Sequence, residues 1–135
     1  GNAQIDGIII EDFELARAAR RVIITTEEII NNDDIRRQPD RTAIPFYVVD
    51  AVCEVPYGAH PTLMPYQYYF DENHIREWLT LSKTPEGAQQ YFEKYVFGVA
   101  DFNEYLEKIG GLRTLSQLKR VEQLRAPLMN ANAEE

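Results

Sequence analysis

The sequence predicts an α/β fold with a helical C-terminal portion. Two β-branched runs, at residues 8–10 and 22–26, flank an amphipathic segment, which is the pattern of a strand, a helix and a second strand. A third apolar run lies between Pro45 and Pro56, and helix start and stop signals follow one another after Phe70. At 135 residues and 15.6 kDa, the chain is long enough for one domain with a core.

The βαβ pattern begins within the first ten residues. Residues 8–10 are all isoleucine and predict a strand that is buried on both faces, as in a covered parallel sheet. The following helix places Phe13, Ala16 and Ala19 on one stripe. Residues 22–26 return as a second strand, so a right-handed crossover is expected. Because the pattern starts so early, we expect the chain to begin inside a fold and to be a fragment.

The third apolar run predicts a strand that is centred on Val48 and Val49 and interrupted by Asp50. The next stretch, residues 54–70, holds three prolines, four tyrosines and one of the two histidines. The prolines argue against a central strand, and the aromatic side chains exceed what a solvated loop needs. A subunit interface or ligand wall and a local mini-core are both open interpretations for Tyr57, Tyr66, Tyr68 and Tyr69.

The C-terminal portion predicts four helices. Three helix starts are marked by capping residues, and these are Asp71, Thr84 before Pro85, and Asp101 with Glu104 three residues on. Gly110 ends the third helix, and an amphipathic helix follows. The inward residues of the first helix are expected to be Ile75, Trp78, Leu79 and Leu81. We expect residues 1–123 to form the domain and residues 124–135 to be a flexible tail.

Composition excludes several classes of function. The net charge of −8 and the pI near 4.8 argue against nucleic-acid binding and against adsorption to an anionic membrane. No apolar run approaches the ~18–20 residues that span a bilayer. The single cysteine, Cys53, cannot form a disulfide within the chain, which favours the cytoplasm. Its apolar strand predicts a small buried thiol rather than a nucleophile.

His60 is the strongest candidate for a functional side chain. It stands between Ala59 and Pro61, so its backbone is restrained and its ring is pre-aimed. It could donate to a carboxylate or thioester oxygen, or it could cap a turn. His74 is expected on a solvated helix face. No metal site is predicted, because the two histidines lack the HxxxH or HExxH spacing.

One loop of this acidic chain contains a cluster of basic residues. Arg36, Arg37 and Arg41 lie in a polar, turn-rich segment. Such a cluster could contact a nucleotide phosphate or an acidic partner, or it could be a solvated loop. No GxSxG, phosphate-binding loop or GxGxxG is present.

Four ordered motifs resemble one enzyme family. "GNAQIDGI", "ARRVIITTEEII", "IPFYVVDAVCEVPYGAHPT" and "YYFDENHIREW" resemble the C-terminal half of the α (A) subunit of family I coenzyme A transferases of the glutaconate CoA-transferase type. The match runs from Gly1 to about Gly110. Its specificity comes from the order of several motifs, since each one alone is weak.

The resemblance implies both a fold and a reaction. The fold is an open three-layer α/β/α sandwich. In the reaction, a glutamate attacks an acyl-CoA, and an acyl-glutamyl anhydride and then a glutamyl-CoA thioester pass CoA to a second carboxylic acid. Coenzyme A and acyl-CoA are thus substrates, and no covalently bound cofactor is implied. The loop expected at the substrate or subunit interface is Tyr57, Gly58, Ala59, His60, Pro61 and Thr62.

The departures from the family pattern limit what this segment could do. The family's nucleophilic glutamate lies in a Ser-Glu-Asn-Gly-like motif of the β (B) subunit, and this chain has no such motif. Glu27, Glu28 and Glu54 are therefore not assigned that role. We expect the segment alone to be inactive, with the β subunit, the missing N-terminal half of the α subunit or a second copy as its partner. A CoA-transferase-fold hydrolase acting on a CoA thioester and a non-catalytic partner-binding fragment stay open.

Overall fold

Two units make up the chain in the computed structural model, Gly1–Gly58 and Ala59–Glu135. The structure describes the backbone of residues 1–131 and the side chains of residues 1–124. The first unit contains all four strands of the described residues, and the second is helical. This division matches the predicted α/β class with a helical C-terminal portion.

The strands of the first unit form two pairs. β1 (Ala3–Gln4) lies antiparallel to β3 (Thr42–Ile44). β2 (Ile23–Thr26) lies parallel to β4 (Ala51–Glu54), with Ile23 opposite Ala51 and Thr26 opposite Glu54. Two helices, α1 (Asp12–Ala18) and α2 (Asn32–Arg37), belong to this unit, and α1 packs against β3 with Ala16 buried. A parallel pair needs a crossover connection, and residues 27–50 supply it.

The predicted strand at residues 8–10 is wrong. Ile8, Ile9 and Ile10 lie outside the strands and are 86%, 46% and 75% exposed. Gly7, in the left-handed region with φ 97°, ends the extended segment before them. The Ile10 amide donates to Oδ2 of Asp12, the first residue of α1, and not to a neighbouring strand. The parallel pairing therefore joins β2 to β4, whereas the expected pairing joins residues 8–10 to β2.

The third predicted strand is displaced along the chain. Its expected centre is wrong, because Phe46–Val48 form a 3-10 turn and Val49 follows that turn. The strand β4 starts only after Asp50. The Asp50 carboxylate accepts from the Val22 amide at 2.9 Å and from Arg21 at 2.7 Å. The Val22 hydrogen bond, followed by that of Arg21, lowers the pKa of Asp50 below its ordinary value. Asp50 thus aligns β4 with β2 rather than interrupting a strand.

The helix starts of the second unit agree with the predicted caps. In α3 (Glu72–Leu81), Asp71 accepts from the His74 amide, and in α4 (Pro85–Phe92), Thr84 accepts from the Gly87 amide. A π-helical turn, Glu93–Phe97, continues α4. In α5 (Phe102–Lys108), Asp101 accepts from the Glu104 amide, and the Glu104 carboxylate accepts from the Ala100 amide. The cap geometry is thus set by the local sequence.

The last helix, α6 (Gly111–Ala131), begins at a pair of glycines, Gly110 and Gly111, that both have positive φ. Its backbone runs past residue 124, where the tail is predicted. Residues 132–135 lie outside the described residues, so the flexible tail stays a prediction. Within residues 1–131, no helix combines the length and apolar character needed to cross a membrane.

The core of the second unit is aromatic. Among the residues whose side chains the structure describes, the buried ones of this unit are Tyr68, Tyr95, Leu115, Leu118, His60 and His74. Ile75, Trp78 and Leu81 are half-buried, in line with their expected direction. Leu79 is 58% exposed, so its predicted inward orientation is wrong. The helix turns His74 inward instead, because its ring finds polar partners there.

Candidate functional site

The predicted loop starts with a constrained backbone. Tyr57 has φ 65°, a left-handed conformation that is uncommon outside glycine. Its amide donates to Oε2 of Glu27 at 2.6 Å, within the first unit. A Cβ at Gly58 would lie 2.8 Å from the Val55 carbonyl oxygen, so only glycine fits this turn without a shift. Gly58 therefore permits a close approach of the backbone to its neighbour.

The rest of the loop, residues 59–62, is held within the second unit. The Ala59 amide donates to the Tyr68 hydroxyl at 3.0 Å, and Tyr68 is fully buried. The Thr62 amide and hydroxyl both donate to the Ala59 carbonyl, at 2.8 and 2.5 Å. The Pro61 carbonyl accepts from the Asp71 amide at 2.9 Å. The loop therefore has a defined shape that these hydrogen bonds maintain.

The imidazole of His60 is buried and has a partner at each nitrogen. Its side chain is 0% exposed. Nδ1 lies 2.6 Å from the Tyr105 hydroxyl, and Nε2 lies 3.3 Å from Oδ2 of Asp71. Because a carboxylate only accepts, Nε2 donates to Asp71, and Nδ1 then accepts from Tyr105. His60 thus links the loop to α3 and α5.

His74 is buried beside His60. The two rings are 5.1 Å apart between centroids and meet edge to face. Nε2 of His74 lies 2.6 Å from the Tyr91 hydroxyl, and its ring lies 4.4 Å from that of Tyr95. Asp71 joins the pair, since its Oδ1 accepts from the His74 amide while Oδ2 faces His60. The solvated position predicted for His74 is wrong.

We name His60, Asp71 and His74 the histidine cluster. One ligand atom from each residue lies within 4.8 Å of those of the other two. The HxxxH and HExxH spacings apply to two ligands on one helix. In the structure, His60 comes from a loop and His74 from α3, so their separation in sequence sets no limit on a shared site.

Burial governs protonation in the cluster. It lowers the pKa of His60 below its ordinary value, with Asp71 acting in the opposite direction. Burial also lowers the pKa of His74, and the neighbouring His60 adds to the effect. Burial raises the pKa of Tyr105. Burial therefore favours the uncharged forms of the two imidazoles and the hydroxyl.

A second polar group lies next to His74. The Glu77 carboxylate accepts from Lys94 at 2.7 Å and from the Tyr95 hydroxyl at 2.8 Å. The Lys94 hydrogen bond is the main cause that lowers the pKa of Glu77. A cavity of about 440 Å³ opens here, and its lining includes Asp71, His74, Glu77, Tyr95 and Lys108. Asp71 and His74 of the histidine cluster thus line a polar cavity.

The other predicted site residues lie elsewhere. Arg36 and Arg37 pair with Asp33 and Asp34 one turn earlier in α2, and Arg41 pairs with Asp6. All three guanidinium groups remain on the surface of the first unit, so their phosphate or partner contact stays a prediction. Cys53 is exposed, so the prediction of a buried thiol is wrong.

Two of the three glutamates that are not assigned as nucleophiles have structural partners. Glu54 accepts from the Ile29 amide at 2.8 Å, and Glu27 accepts from the Tyr57 amide.

The four loop tyrosines differ in burial, since Tyr68 is fully buried whereas Tyr66 is 67% exposed. Tyr68 therefore belongs to the core, as the mini-core interpretation expects.

Sequence reasoning missed Asp71, Tyr91 and Tyr105 as neighbours of the two histidines. One signal was present, because Asp71 and His74 stand three residues apart at a helix start, which places them on one face. No spacing in the sequence connects Tyr105 with His60, because α5 brings them together from 45 residues apart.

Comparison with known proteins gives the class. No protein-family profile matches the chain. The crystal structure of glutaconate coenzyme A-transferase from Acidaminococcus fermentans superposes with a TM-score of 0.83 at 39% identity, over 88% of this chain and 37% of that chain. The fold is therefore the α/β fold of a CoA-transferase.

Sequence relatives agree with the structural match. The α (A) subunit of glutaconate CoA-transferase from Acidaminococcus fermentans is 38% identical over 116 residues, which cover 86% of this chain and 36% of the relative. An uncharacterized protein of Archaeoglobus fulgidus is 62% identical over 125 residues, 93% of this chain and 28% of that protein. The cholesterol ring-cleaving hydrolase IpdA subunit of Mycobacterium tuberculosis is 30% identical over 118 residues, 84% of this chain and 40% of the relative.

The chain is homologous to a part of the α subunits of CoA-transferases of the glutaconate type, which confirms the resemblance found in its motifs. It spans between 28% and 40% of the length of these relatives.

Proposed function

We propose that the chain is part of a CoA-transferase that moves coenzyme A between an acyl-CoA and a carboxylic acid. The observation that carries this proposal is the 39% identity to glutaconate coenzyme A-transferase together with a TM-score of 0.83 over 88% of the chain. In the proposed reaction, a glutamate of the partner β subunit attacks the acyl-CoA, and a glutamyl-CoA thioester forms on that subunit. This chain supplies structure around the site rather than the nucleophile.

The proposed contribution of the chain is the loop from Tyr57 to Thr62. Its shape is supported by the left-handed backbone of Tyr57, by the close turn at Gly58 and by the hydrogen bonds around Ala59. Residues 59–62, which hydrogen bonds hold within the second unit, suit a site where small displacements reduce the rate strongly. We assign to this loop a part of the wall that faces the β subunit.

His60 acts on this loop as a positioning residue. Its ring is fully buried and bonded to Tyr105 and Asp71, which supports an anchoring role better than a direct contact with substrate. The hydrogen bond to a substrate oxygen that the sequence suggests would require the ring to leave both partners. We therefore propose that the His60 side chain anchors the loop and does not contact the substrate.

The proposed partners of the chain include the remainder of an α subunit. β2 and β4 form a parallel pair whose outer edges have no further strand among the described residues. Two-stranded sheets are marginal alone, and parallel sheets are normally covered on both faces. Ile8, Ile10 and Ile23 are 86%, 75% and 67% exposed, as expected for residues that other chain segments cover.

A hydrolase is the second candidate, and the 30% identity to a ring-cleaving hydrolase subunit is the observation that favours it. The higher identity to the α subunit of glutaconate CoA-transferase favours the transferase.

We place the enzyme in the cytoplasm, because a chain with one cysteine suits a reducing compartment.

The test is a chimera. Residues 1–123 replace the homologous segment in the α subunit of glutaconate CoA-transferase from Acidaminococcus fermentans, and the chimera is produced with that enzyme's β subunit. The assay follows CoA transfer from acetyl-CoA to glutaconate. We expect the purified complex to form glutaconyl-CoA, and to form it only when both subunits are present.

Two controls separate the outcomes. Replacement of the partner's nucleophilic glutamate by glutamine should abolish transfer without dissociating the complex. Free thiol released from the thioester without an acceptor acid would indicate the hydrolase instead. A chimera that assembles and melts like the parent enzyme but transfers no CoA contradicts the proposal.

A further inference from the structure

We propose that the histidine cluster binds one divalent transition-metal ion, with Zn²⁺ as the ion to test. His60, Asp71 and His74 offer two imidazoles and a carboxylate, a donor set that suits Zn²⁺ and other first-row ions. Three protein ligands leave a fourth position of a tetrahedral ion for water. All residues of the site lie in the second unit, and its test measures metal binding rather than CoA transfer, so the two proposals can fail separately.

The distances fit this role. Nε2 of His60 and Oδ2 of Asp71 are 3.3 Å apart, which is about the edge of a tetrahedron with metal–ligand bonds of ~2.0–2.1 Å. The three ligand atoms lie within 4.8 Å of one another, so side-chain adjustment within the cluster would bring them to one ion. The cavity beside Asp71 and His74 supplies a route of entry for the ion.

The outer contacts of the cluster resemble those of metal sites. A metal-binding histidine usually fixes its second nitrogen on a neighbouring polar group. Tyr105 stands at Nδ1 of His60, and Tyr91 stands at Nε2 of His74, each at 2.6 Å. A hydroxyl can both donate and accept, so Tyr105 can accept a hydrogen bond from Nδ1 when a metal replaces the proton on Nε2.

The charge of the cluster favours a cation. Among the residues that the structure describes, Asp71 has no lysine or arginine as an ion-pair partner, and its Oδ2 faces Nε2 of His60. Two lysines lie nearby, but Lys94 pairs with Glu77, and Lys108 donates to the carbonyl oxygens of Lys94 and Gly98. A largely buried carboxylate that lacks a cationic side-chain partner can offset the charge of a bound ion.

The experiment uses the full 135-residue chain, freed of metal with a chelator, and titrates it with Zn²⁺ by calorimetry. We expect saturable binding of one ion per chain. Asp71→Asn removes the carboxylate ligand while an asparagine can still cap α3. This variant should lower the affinity by more than ~100-fold, and Tyr91→Phe, which removes an outer contact, should lower it about 10–100-fold.

A matched control is present in the same unit. Asp101 caps α5 as Asp71 caps α3, through the Glu104 amide at 2.9 Å. Asp101→Asn should therefore leave Zn²⁺ affinity unchanged, which separates a ligand effect from a capping effect. Circular dichroism verifies that each variant is folded.

Nuclear magnetic resonance of the two histidines gives a readout that does not depend on any variant. The chain contains only two histidines, so their ring signals are assignable to this cluster. Both should shift when one equivalent of Zn²⁺ is added. Absence of saturable binding, unchanged histidine signals, or equal affinity of wild type and Asp71→Asn would each overturn the proposal.

Discussion

Replacement of His60 by alanine tests whether this residue anchors the second unit. The change deletes a fully buried ring whose two nitrogens bond to Tyr105 and Asp71. It also removes the edge-to-face contact with His74, at 5.1 Å between centroids. The Tyr105 hydroxyl and Oδ2 of Asp71 lose a partner. The lost burial, the cavity and the unsatisfied groups together should destabilise the chain by about 2–4 kcal/mol.

The assay is thermal unfolding followed by circular dichroism, in the presence of a chelator so that bound metal adds nothing. A destabilisation of about 2–4 kcal/mol corresponds to a melting temperature lower by about 8–16 °C for a chain of this size. Leu79→Ala is the matched control, because Leu79 lies in α3 but is 58% exposed. It should change the free energy of unfolding by no more than about 0.5 kcal/mol. A His60→Ala variant that melts within about 2 °C of the wild type would refute the anchoring role.

Three further predictions concern the loop and the isolated chain. Gly58→Ala should destabilise the first unit by about 1–3 kcal/mol in urea unfolding, because its Cβ would meet the Val55 carbonyl oxygen at 2.8 Å; an unchanged urea midpoint would contradict this. The isolated chain should not exchange CoA between acetyl-CoA and a carboxylate, because the nucleophilic glutamate is expected on the β subunit. Exchange that Glu54→Gln abolishes would show instead that the nucleophile lies on this chain. The isolated chain should self-associate through its exposed isoleucines, and Ile8→Lys with Ile10→Lys should reduce this in sedimentation; a monodisperse monomer of the wild type would oppose the expectation that further chain covers this surface.

The sequence predicts best where structure depends on neighbouring residues. The predicted caps at Asp71, Thr84 and Asp101 are correct, because a capping side chain bonds to an amide two or three residues away. The strand predicted at residues 22–26 is found at Ile23–Thr26 for a similar reason, since a β-branched run favours extended backbone.

Predictions fail where burial or strand formation depends on residues that are distant in the sequence. The three isoleucines at residues 8–10 have the pattern of a buried strand, yet hydrophobicity indicates only that a surface is to be covered, not which segment covers it. Cys53 lies in β4, which is exposed along its whole length among the described residues, against the expectation of a buried thiol. His74 is polar, so the sequence predicts that it lies on a solvated face. Its buried partners are not visible in the sequence.

The candidate site illustrates the same division. The loop and its glycine are predictable from composition, since a close turn and a restrained backbone leave marks in the sequence. The partners of the histidines are not, because Tyr105 reaches His60 from α5 and Tyr91 reaches His74 from α4. Such contacts depend on how helices pack.

The two proposals for His60 are physically compatible. As an anchor, His60 donates from Nε2 to Asp71 and accepts at Nδ1 from Tyr105. With an ion bound, Nε2 would coordinate the metal and Nδ1 would donate to the same hydroxyl, so the ring keeps its place while its tautomer changes. In both states residues 59–62 of the loop stay attached to α3 and α5. Metal binding would then stabilise the second unit by an amount that grows with the concentration of free ion, since the folded chain alone presents the three ligands together.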